Sequence, residues 1–190
     1  MTETHPLLPF FPKKAKWLFL GSFPPKQQRW SMDFFYPNFQ NDMWRIFGLV
    51  FFGDKNHFVD NDNKTFKKEA IITFLTAQYI AMYDTAEAVI RHKDNASDKD
   101  LEIVKAVDIG KIIQTLPYLQ NLVTTGQKAS ETLIAQFAEK NIPIQLPVVG
   151  SHSAFVFGDR ELRMYRMPSS SRAYPLPLEK KAEIYKKMFD

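Results

Sequence analysis

Residues 17–20 read Trp-Leu-Phe-Leu, and this apolar run ends abruptly at Gly21 and Ser22. Four apolar residues are too few for a core helix and predict a buried β-strand. Because Pro24 and Pro25 lack an N–H donor and restrict the residues before them, the chain after the strand must form a rigid loop. In an open α/β sheet, ligands usually bind where a strand ends. The sequence therefore predicts that residues 21–44 form one wall of a site.

The length of 190 residues fits one domain, on which we expect residues 1–15 to form an N-terminal arm. No apolar run approaches the ~18 residues of a membrane span, and prolines break the N-terminus where a secretory signal would need an apolar run. The absence of cysteine excludes disulfides, thiolate metal sites and a cysteine nucleophile. We therefore expect a cytoplasmic monomer with no membrane partner.

Charge alone says little about the partner. The net charge of +4 permits a polyanion such as DNA, because each neutralised phosphate releases counterions. A solvated basic surface explains the same excess equally well. The lysines at 180, 181, 186 and 187 are most simply the wet face of a last helix.

Hydrophobic spacing predicts strands that alternate with helices, which favours an α/β fold with a mainly parallel sheet and helices on both faces. The predicted strands are 16–20, 79–83, 122–125, 144–149, 154–157 and 161–167. The predicted helices are 42–50, 66–75, 85–90, 109–116, 126–137 and 178–188. Asn41 or Asp42 is placed to cap the first of these helices, and Thr85 the third.

A second loop resembles the first in composition. Residues 167–173 read Met-Pro-Ser-Ser-Ser-Arg-Ala and follow a predicted strand. Proline stiffens such a loop, while hydroxyl groups and free amides offer hydrogen bonds to a phosphate. Ordinary turns also contain proline and serine, so this composition alone leaves both interpretations open.

The chain resembles the uracil-DNA glycosylase superfamily, most closely its mismatch-specific and hypoxanthine-DNA glycosylase branch. Five stretches carry the resemblance, in order along nearly the whole chain: 20–25 (Leu-Gly-Ser-Phe-Pro-Pro), 36–46, 81–84 (Ala-Met-Tyr-Asp), 125–129 (Thr-Gly-Gln-Lys-Ala) and 167–173. The resemblance implies a three-layer α/β/α sandwich around a short, mainly parallel sheet. It also implies hydrolysis of the base–sugar bond of a deaminated base, hypoxanthine or uracil, flipped out of DNA.

The resemblance assigns the catalytic and base-binding roles. The backbone of Gly21, Ser22 and Phe23 lines the base pocket and the site of the catalytic water, and Ser22 is counted as catalytic. Asn41 supplies the working amide, which orients water or binds a base edge but is no strong general base. A helix N-cap is the alternative interpretation of Asn41.

Two aromatic residues and one carboxylate complete the implied base pocket. Phe35 or Tyr36 stacks on the extruded base, although either could equally be a core residue. Asp84 accepts a hydrogen bond from a base N–H or, alternatively, caps the following helix.

The resemblance also assigns contacts with the DNA. Pro24 and Pro168 hold the two loops stiff and are counted among the DNA-binding residues, and the three serines of the second loop contact phosphates. These serines are Ser169, Ser170 and Ser171. Arg172 lies where related proteins insert a wedge into the base stack.

Two positions depart from the superfamily pattern. Phe23 stands where many members carry Asn or Asp to position water, and Met167 replaces the histidine of the classical uracil enzymes. The first departure argues against ordinary uracil excision, although the hypoxanthine-type branch also lacks that Asn or Asp. Met is tolerated at the second position in the mismatch-specific branch. The two departures also leave open a catalytically silent relative that binds DNA or a nucleotide. A small-molecule glycoside or phosphate-ester hydrolase is a third candidate.

No cofactor or metal is predicted. The four histidines lack paired ligand spacing, and residues 60–71 lack the glycine and the closing glutamate of a calcium loop. No phosphate-binding or dinucleotide fingerprint is present. The expected partner is therefore DNA that contains a damaged or mismatched base.

Overall fold

The computed structural model describes residues 1–93 and 98–190 of the chain. Strands and helices follow one another along the described residues. The strands are β1 (Thr2–Thr4), β2 (Trp17–Gly21), β3 (Val59–Asp60), β4 (Thr65–Phe66), β5 (Ile80–Asp84), β6 (Ala86–Arg91), β7 (Leu101–Ala106), β8 (Asn121–Thr125), β9 (Ser151–Phe157) and β10 (Arg160–Met167). The helices are α1 (Met43–Phe52), α2 (Lys68–Ala77), α3 (Ile109–Thr115), α4 (Gln127–Glu139) and α5 (Leu178–Phe189).

The central sheet has the strand order β5-β2-β8-β10-β9. Strands β5, β2, β8 and β10 run parallel, and β9 pairs antiparallel with β10 at one edge. Gly21 is in register with Asp84, and Met167 with Thr125, so four strands end together along one edge of the sheet. The predicted α/β class is confirmed.

Two apolar clusters lie on opposite faces of this sheet, because successive strand residues point to opposite sides. Phe19 of β2 and Val123 of β8 pack with buried residues of α1, α2 and α5. Leu18 and Leu20 of β2 pack with buried residues of α3 and α4. The alternating side chains of β2 thus anchor helices on both faces, as the apolar pattern predicts.

The predicted helix over residues 85–90 is wrong. Residues 86–91 form β6, which pairs antiparallel with β1 and β7 in a separate sheet of order β1-β6-β7. The β-branched Val89 and Ile90 suit a strand, and pairing on both sides overrides the helical spacing of this short segment. Asp84 and Thr85 therefore cap no helix.

The predicted strand over residues 144–149 is also wrong, since this segment forms no ladder in the structure. Pro147 removes a backbone donor from it, and Pro143 directly precedes it, which disfavours a strand inside a sheet. Ile144 instead packs against the apolar cluster that contains α3 and α4.

The N-terminal segment lies along the sheets. Thr2–Thr4 pair with β6, and Phe10 forms a bridge with Met82 of β5. Leu7 and Phe10 pack against one apolar cluster, while Leu8 remains exposed. These contacts carry residues 1–15 past the carboxyl end of β5. Within the described residues, no helix is both long and apolar enough to cross a membrane.

Candidate active site

Gly21 and Asp84 face each other where β2 and β5 end. A Cβ atom on Gly21 would collide with Oδ1 of Asp84, so only glycine allows this carboxylate to lie against the end of β2. Both residues are buried. The sequence prediction that Gly21 and Asp84 share one site agrees with their positions, while their roles stay predictions.

The Asp84 carboxylate is held by a residue that the sequence analysis missed. Nε2 of His5 lies 2.8 Å from Oδ2 of Asp84, and the side chains are only 3% and 9% exposed. The other ring nitrogen, Nδ1, lies 3.0 Å from the carbonyl oxygen of Leu7 and 3.1 Å from its backbone nitrogen, and Nε2 can donate to the Asp84 carboxylate. Seventy-nine residues separate the two partners, so no local spacing could have revealed the pair.

Aromatic rings surround the imidazole of His5. The ring centroids of Phe23 and Tyr83 lie 5.2 Å and 4.9 Å away, and that of Phe35 lies 6.4 Å away. Phe35 is itself buried in the apolar cluster of α1 and α2, and it underlies the site rather than opening onto solvent. Burial and the neighbouring carboxylates of Glu87 and Asp84 raise the pKa of the Tyr83 phenol, which keeps this ring neutral.

Tyr36 is fixed in an unusual conformation beside the same strand ends. Its φ angle is +51°, a left-handed value that costs a residue with a side chain about 1–2 kcal/mol. Its hydroxyl oxygen lies 2.7 Å from Oγ1 of Thr125 at the end of β8. The ring packs edge-on against Trp44, with centroids 6.1 Å apart. Tyr36 is half-buried and packs against the apolar cluster that contains α1, α2 and α5.

The loop after β2 is anchored by contacts with the second sheet. The backbone N–H of Ala86 donates to the carbonyl of Ser22 at 3.2 Å. The Phe23 side chain packs with Ala86, Val89 and Leu101, which gives an apolar reason for a phenylalanine at this position. Arg91 donates to the carbonyl of Pro24 at 3.0 Å. Pro24 is therefore held rigidly, as the sequence predicts.

The loop after β10 is rigid for a different reason. The Tyr185 hydroxyl donates to the carbonyl of Pro168 at 2.7 Å, and burial raises the pKa of this phenol well above 10.0. The hydroxyl oxygens of Ser169 and Ser171 accept backbone N–H groups two residues further on, each at 3.2 Å. Ser170 is buried.

Backbone contacts bring the Asn41 segment to this second loop. The N–H of Asp42 donates to the carbonyl of Ser170 at 2.9 Å. Gly126, at the start of α4, also faces Ser169, since a Cβ on Gly126 would lie 3.7 Å from Cβ of Ser169. The ends of β2, β5, β8 and β10 therefore carry both loops and the Asn41 segment along one edge of the sheet.

The amide of Asn41 lies just before the start of helix α1. Its Oδ1 accepts the N–H of Met43 at 2.9 Å, which fits the capping interpretation. Its nitrogen makes no hydrogen bond within the part of the chain that the structure describes. Two amide N–H donors and one lone pair of Oδ1 are thus available to a ligand or to water.

Charged side chains join α1, α5 and the second loop. Oδ1 of Asp42 accepts from Nε of Arg172 at 3.1 Å, and its Oδ2 accepts from Nζ of Lys181 at 3.3 Å. Arg172 is about half-exposed at this junction. Within residues 1–93 and 98–190, no three histidine or acidic side chains group in a way that could hold a metal ion.

Comparisons with known proteins support the fold. No family model matches the chain, and no curated protein matches it. A solution NMR structure described as a "putative Uracil DNA glycosylase" from Methanosarcina acetivorans is similar to it, with a TM-score of 0.63, 16% sequence identity and coverage of 100% of both chains. The chain therefore shares its α/β fold with a protein that carries that description.

Proposed function

We propose that this protein is a monofunctional DNA glycosylase that hydrolyses the N-glycosidic bond of a deaminated base, hypoxanthine or uracil, flipped out of DNA. One observation carries the proposal: the two proline-braced loops and the Asn41 segment lie together at the carboxyl edge of the sheet. Ligands of α/β proteins bind at this edge. The apolar clusters on opposite faces of the sheet also support the three-layer arrangement that the resemblance implies.

Base recognition follows from the hydrogen-bonding capacity of the Asp84 carboxylate. Deamination turns the ring nitrogen of adenine or cytosine from an acceptor into an N–H donor. An ionised carboxylate only accepts hydrogen bonds, so it suits the N–H of hypoxanthine or uracil and opposes the lone pair of the parent base. His5 is hydrogen-bonded to Oδ2 of Asp84. Oδ1, beside Gly21, is therefore the atom that accepts the hydrogen bond from the base.

Guanine and thymine also carry a ring N–H, so this contact alone does not reject them. Their rejection comes from the energy of extruding a correctly paired base, which is smallest for mismatched or damaged bases. In this proposal Tyr36 stacks on the extruded base, while Phe35 supports the floor beneath His5. Ser169 and Ser171 offer hydroxyl groups to the flanking phosphates, and Arg172 contacts the DNA from the exposed end of its loop.

Bond cleavage in this proposal relies on positioning rather than on a strong acid or base. The electron pair of the glycosidic bond leaves with the base nitrogen while positive charge develops on the sugar. Water held between Asn41 and the backbone of Ser22 attacks the anomeric carbon and releases its proton to solvent, and the departing base takes up a proton. Met167 supplies no proton, so the intrinsic leaving ability of the deaminated base sets the rate.

A panel of duplex oligonucleotides tests the proposal. Each duplex carries hypoxanthine, uracil or an undamaged base at one position, and alkaline cleavage reports abasic sites. We expect strand breaks at a deaminated base and none at adenine or cytosine. Asn41→Ala should lose most of this activity, while Asn56→Ala, an exposed asparagine in the turn after α1, should keep it. Intact DNA binding without cleavage of any lesion would overturn the enzymatic proposal.

A catalytically silent DNA-binding relative is the second candidate. It is favoured by the hydrogen bond that Oδ1 of Asn41 already accepts from Met43, because this bond serves the helix and not a water molecule. Phe23 and Met167 also place apolar side chains at two positions where related enzymes carry polar ones. In this case the wild type and Asn41→Ala bind lesion duplexes equally and neither cleaves them.

A further inference from the structure

A cavity of about 480 Å³ opens between the start of α1, the loop after β10 and the start of α5. Four cationic side chains line it: Arg45, Lys55, Arg172 and Lys181. Two carboxylates, those of Asp42 and Glu179, also face it. Among its lining residues the cavity thus has an excess of two positive charges, and no assigned role of the candidate active site explains Arg45, Lys55 or Lys181.

The cations are built into the fold. The prediction that Lys181 lies on a solvated helix face is wrong: it is only 1% exposed, and its Nζ donates to the carbonyl of Ser171 at 2.8 Å and to Asp42 at 3.3 Å. Arg45 is buried, and its Nη1 donates to the carbonyls of Phe39 and Asn41 at 2.8 Å and 3.0 Å. Burying a cation is costly unless it is paired. Lys181 has the Asp42 carboxylate, whereas Arg45 has only carbonyl oxygens and the ring faces of Phe39 and Phe66, whose centroids lie 4.7 Å and 5.4 Å from its guanidinium carbon.

Arg45 makes no hydrogen bond to a carboxylate among the described residues. Asp42 is shared between Arg172 and Lys181, and it does not hydrogen-bond Arg45. Burial and the positive charge of Arg172 lower the pKa of Arg45, against the opposing effect of Asp42. Both guanidinium groups line this cavity, and an anion bound between them would offset their mutual repulsion.

Hydrogen-bond donors remain available for such an anion. Nε and Nη2 of Arg45, and both terminal nitrogens of Arg172, make no hydrogen bond to the described residues. Neither of these Arg45 nitrogens is fully buried, and the Arg172 side chain is about half-exposed. A guanidinium group presents its donors as a planar fork that matches two oxygens of a phosphate.

We propose that this cavity binds a backbone phosphate of the DNA strand that carries the extruded nucleotide. The assignment rests on the proposed function, because the cavity adjoins the candidate active site through Asp42, whose chain neighbour is Asn41 and whose N–H bonds Ser170. Arg45 and Arg172 bind the phosphate oxygens, Lys55 adds charge at the mouth, and Lys181 holds Asp42 and the loop in place.

Salt dependence of DNA binding tests the site without requiring catalysis. The duplex carries a 2′-fluoro-substituted hypoxanthine nucleotide, whose glycosidic bond resists cleavage, and anisotropy gives its affinity between about 50 and 200 mM salt. The slope of log affinity against log salt is negative, and loss of one phosphate contact lowers its magnitude by about 0.9. We expect this loss in Lys55→Gln and in Arg172→Gln.

Lys186→Gln is the matched control, since Lys186 is an exposed lysine of α5 that does not line the cavity. Its slope should equal that of the wild type. Equal slopes in all variants, or an equal loss in Lys186→Gln, would overturn the proposal in favour of diffuse charge. If inorganic phosphate or a mononucleotide binds as tightly as the duplex, the cavity serves a free anion and the DNA assignment is overturned.

A second measurement locates the phosphate. A methylphosphonate is uncharged, and it is placed at each backbone position around the lesion in turn. At one position it should weaken wild-type binding and abolish the difference between the wild type and Lys55→Gln. If no position has this effect, Lys55 does not contact one particular phosphate, and the proposed site is overturned. Failure of excision with these results intact would overturn the proposed enzyme but not the phosphate site.

Discussion

The pair of His5 and Asp84 gives the sharpest prediction on stability, because the chain contains its own control. Nε2 of His5 lies 2.8 Å from Asp84, and Nε2 of His92 lies 2.7 Å from Glu102. The first pair is 3% and 9% exposed, whereas the second is 59% and 57% exposed. The two pairs therefore share chemistry and distance and differ in burial.

Burial decides the expected loss of stability. A hydrogen bond to a charged group contributes about 1.5–3 kcal/mol, and removing one partner leaves the other desolvated. His5 also packs against the rings of Phe23 and Tyr83. We expect His5→Ala to lower the free energy of unfolding by about 3 kcal/mol. An exposed ion pair contributes about 0–1 kcal/mol, so His92→Ala should change stability by no more than that.

Urea unfolding measures both variants under identical conditions. His5→Gln keeps an N–H donor near Asp84 and should recover part of the loss. His5→Leu keeps the bulk of the side chain without a donor. Comparison of His5→Ala, His5→Gln and His5→Leu therefore separates the contribution of packing from that of the hydrogen bond. Equal destabilisation by His5→Ala and His92→Ala would refute the reasoning, because the buried pair would then contribute no more than the exposed one.

Further predictions concern the strand ends and the second loop. Gly21→Ala should lower kcat/KM by about a hundred-fold, because the new Cβ displaces the Asp84 carboxylate. Gly158→Ala, in an open turn, is the control and should leave kcat/KM unchanged. Equal activity of the two variants would contradict this prediction. Below about pH 10 the Tyr185 phenol is neutral in both the folded and the unfolded protein. Above about pH 10 the phenol ionises only in the unfolded protein, because burial raises its pKa in the folded state. The free energy of unfolding should therefore fall as pH rises above about 10, and it should fall less steeply in Tyr185→Phe. Urea unfolding at several pH values measures both. The same pH dependence in the wild type and in Tyr185→Phe would contradict the stated cause.

The sequence predicts the elements whose information is local. The apolar run before Gly21 becomes β2, and the helical spacing after residue 178 becomes α5. Both have a clear period and clear ends. The proline-braced loops are equally readable, because proline restricts the backbone whatever surrounds it.

Elements that depend on distant partners are not predictable in this way. Residues 86–91 have a helical spacing, yet they form a strand because β1 and β7 lie on either side. His5 is seventy-nine residues from Asp84, and only the path of the N-terminal segment along β5 and β6 brings them together. The basic cavity likewise collects Lys55 and Lys181 from separate elements. The hydrophobic periodicity of one segment carries no information about contacts with distant parts of the chain.

The central claim is that Asp84, at the carboxyl edge of the sheet, reads the ring N–H of a deaminated base that the protein then excises. The most direct measurement compares excision of hypoxanthine from duplex DNA by the wild type and by Asp84→Asn, with adenine at the same position as the reference. We predict excision of hypoxanthine and not of adenine by the wild type. We also predict at least a roughly tenfold loss in Asp84→Asn, since a tenfold change corresponds to about 1.4 kcal/mol, the scale of one hydrogen bond. No excision by the wild type, or an equal rate in the two proteins, would contradict the claim.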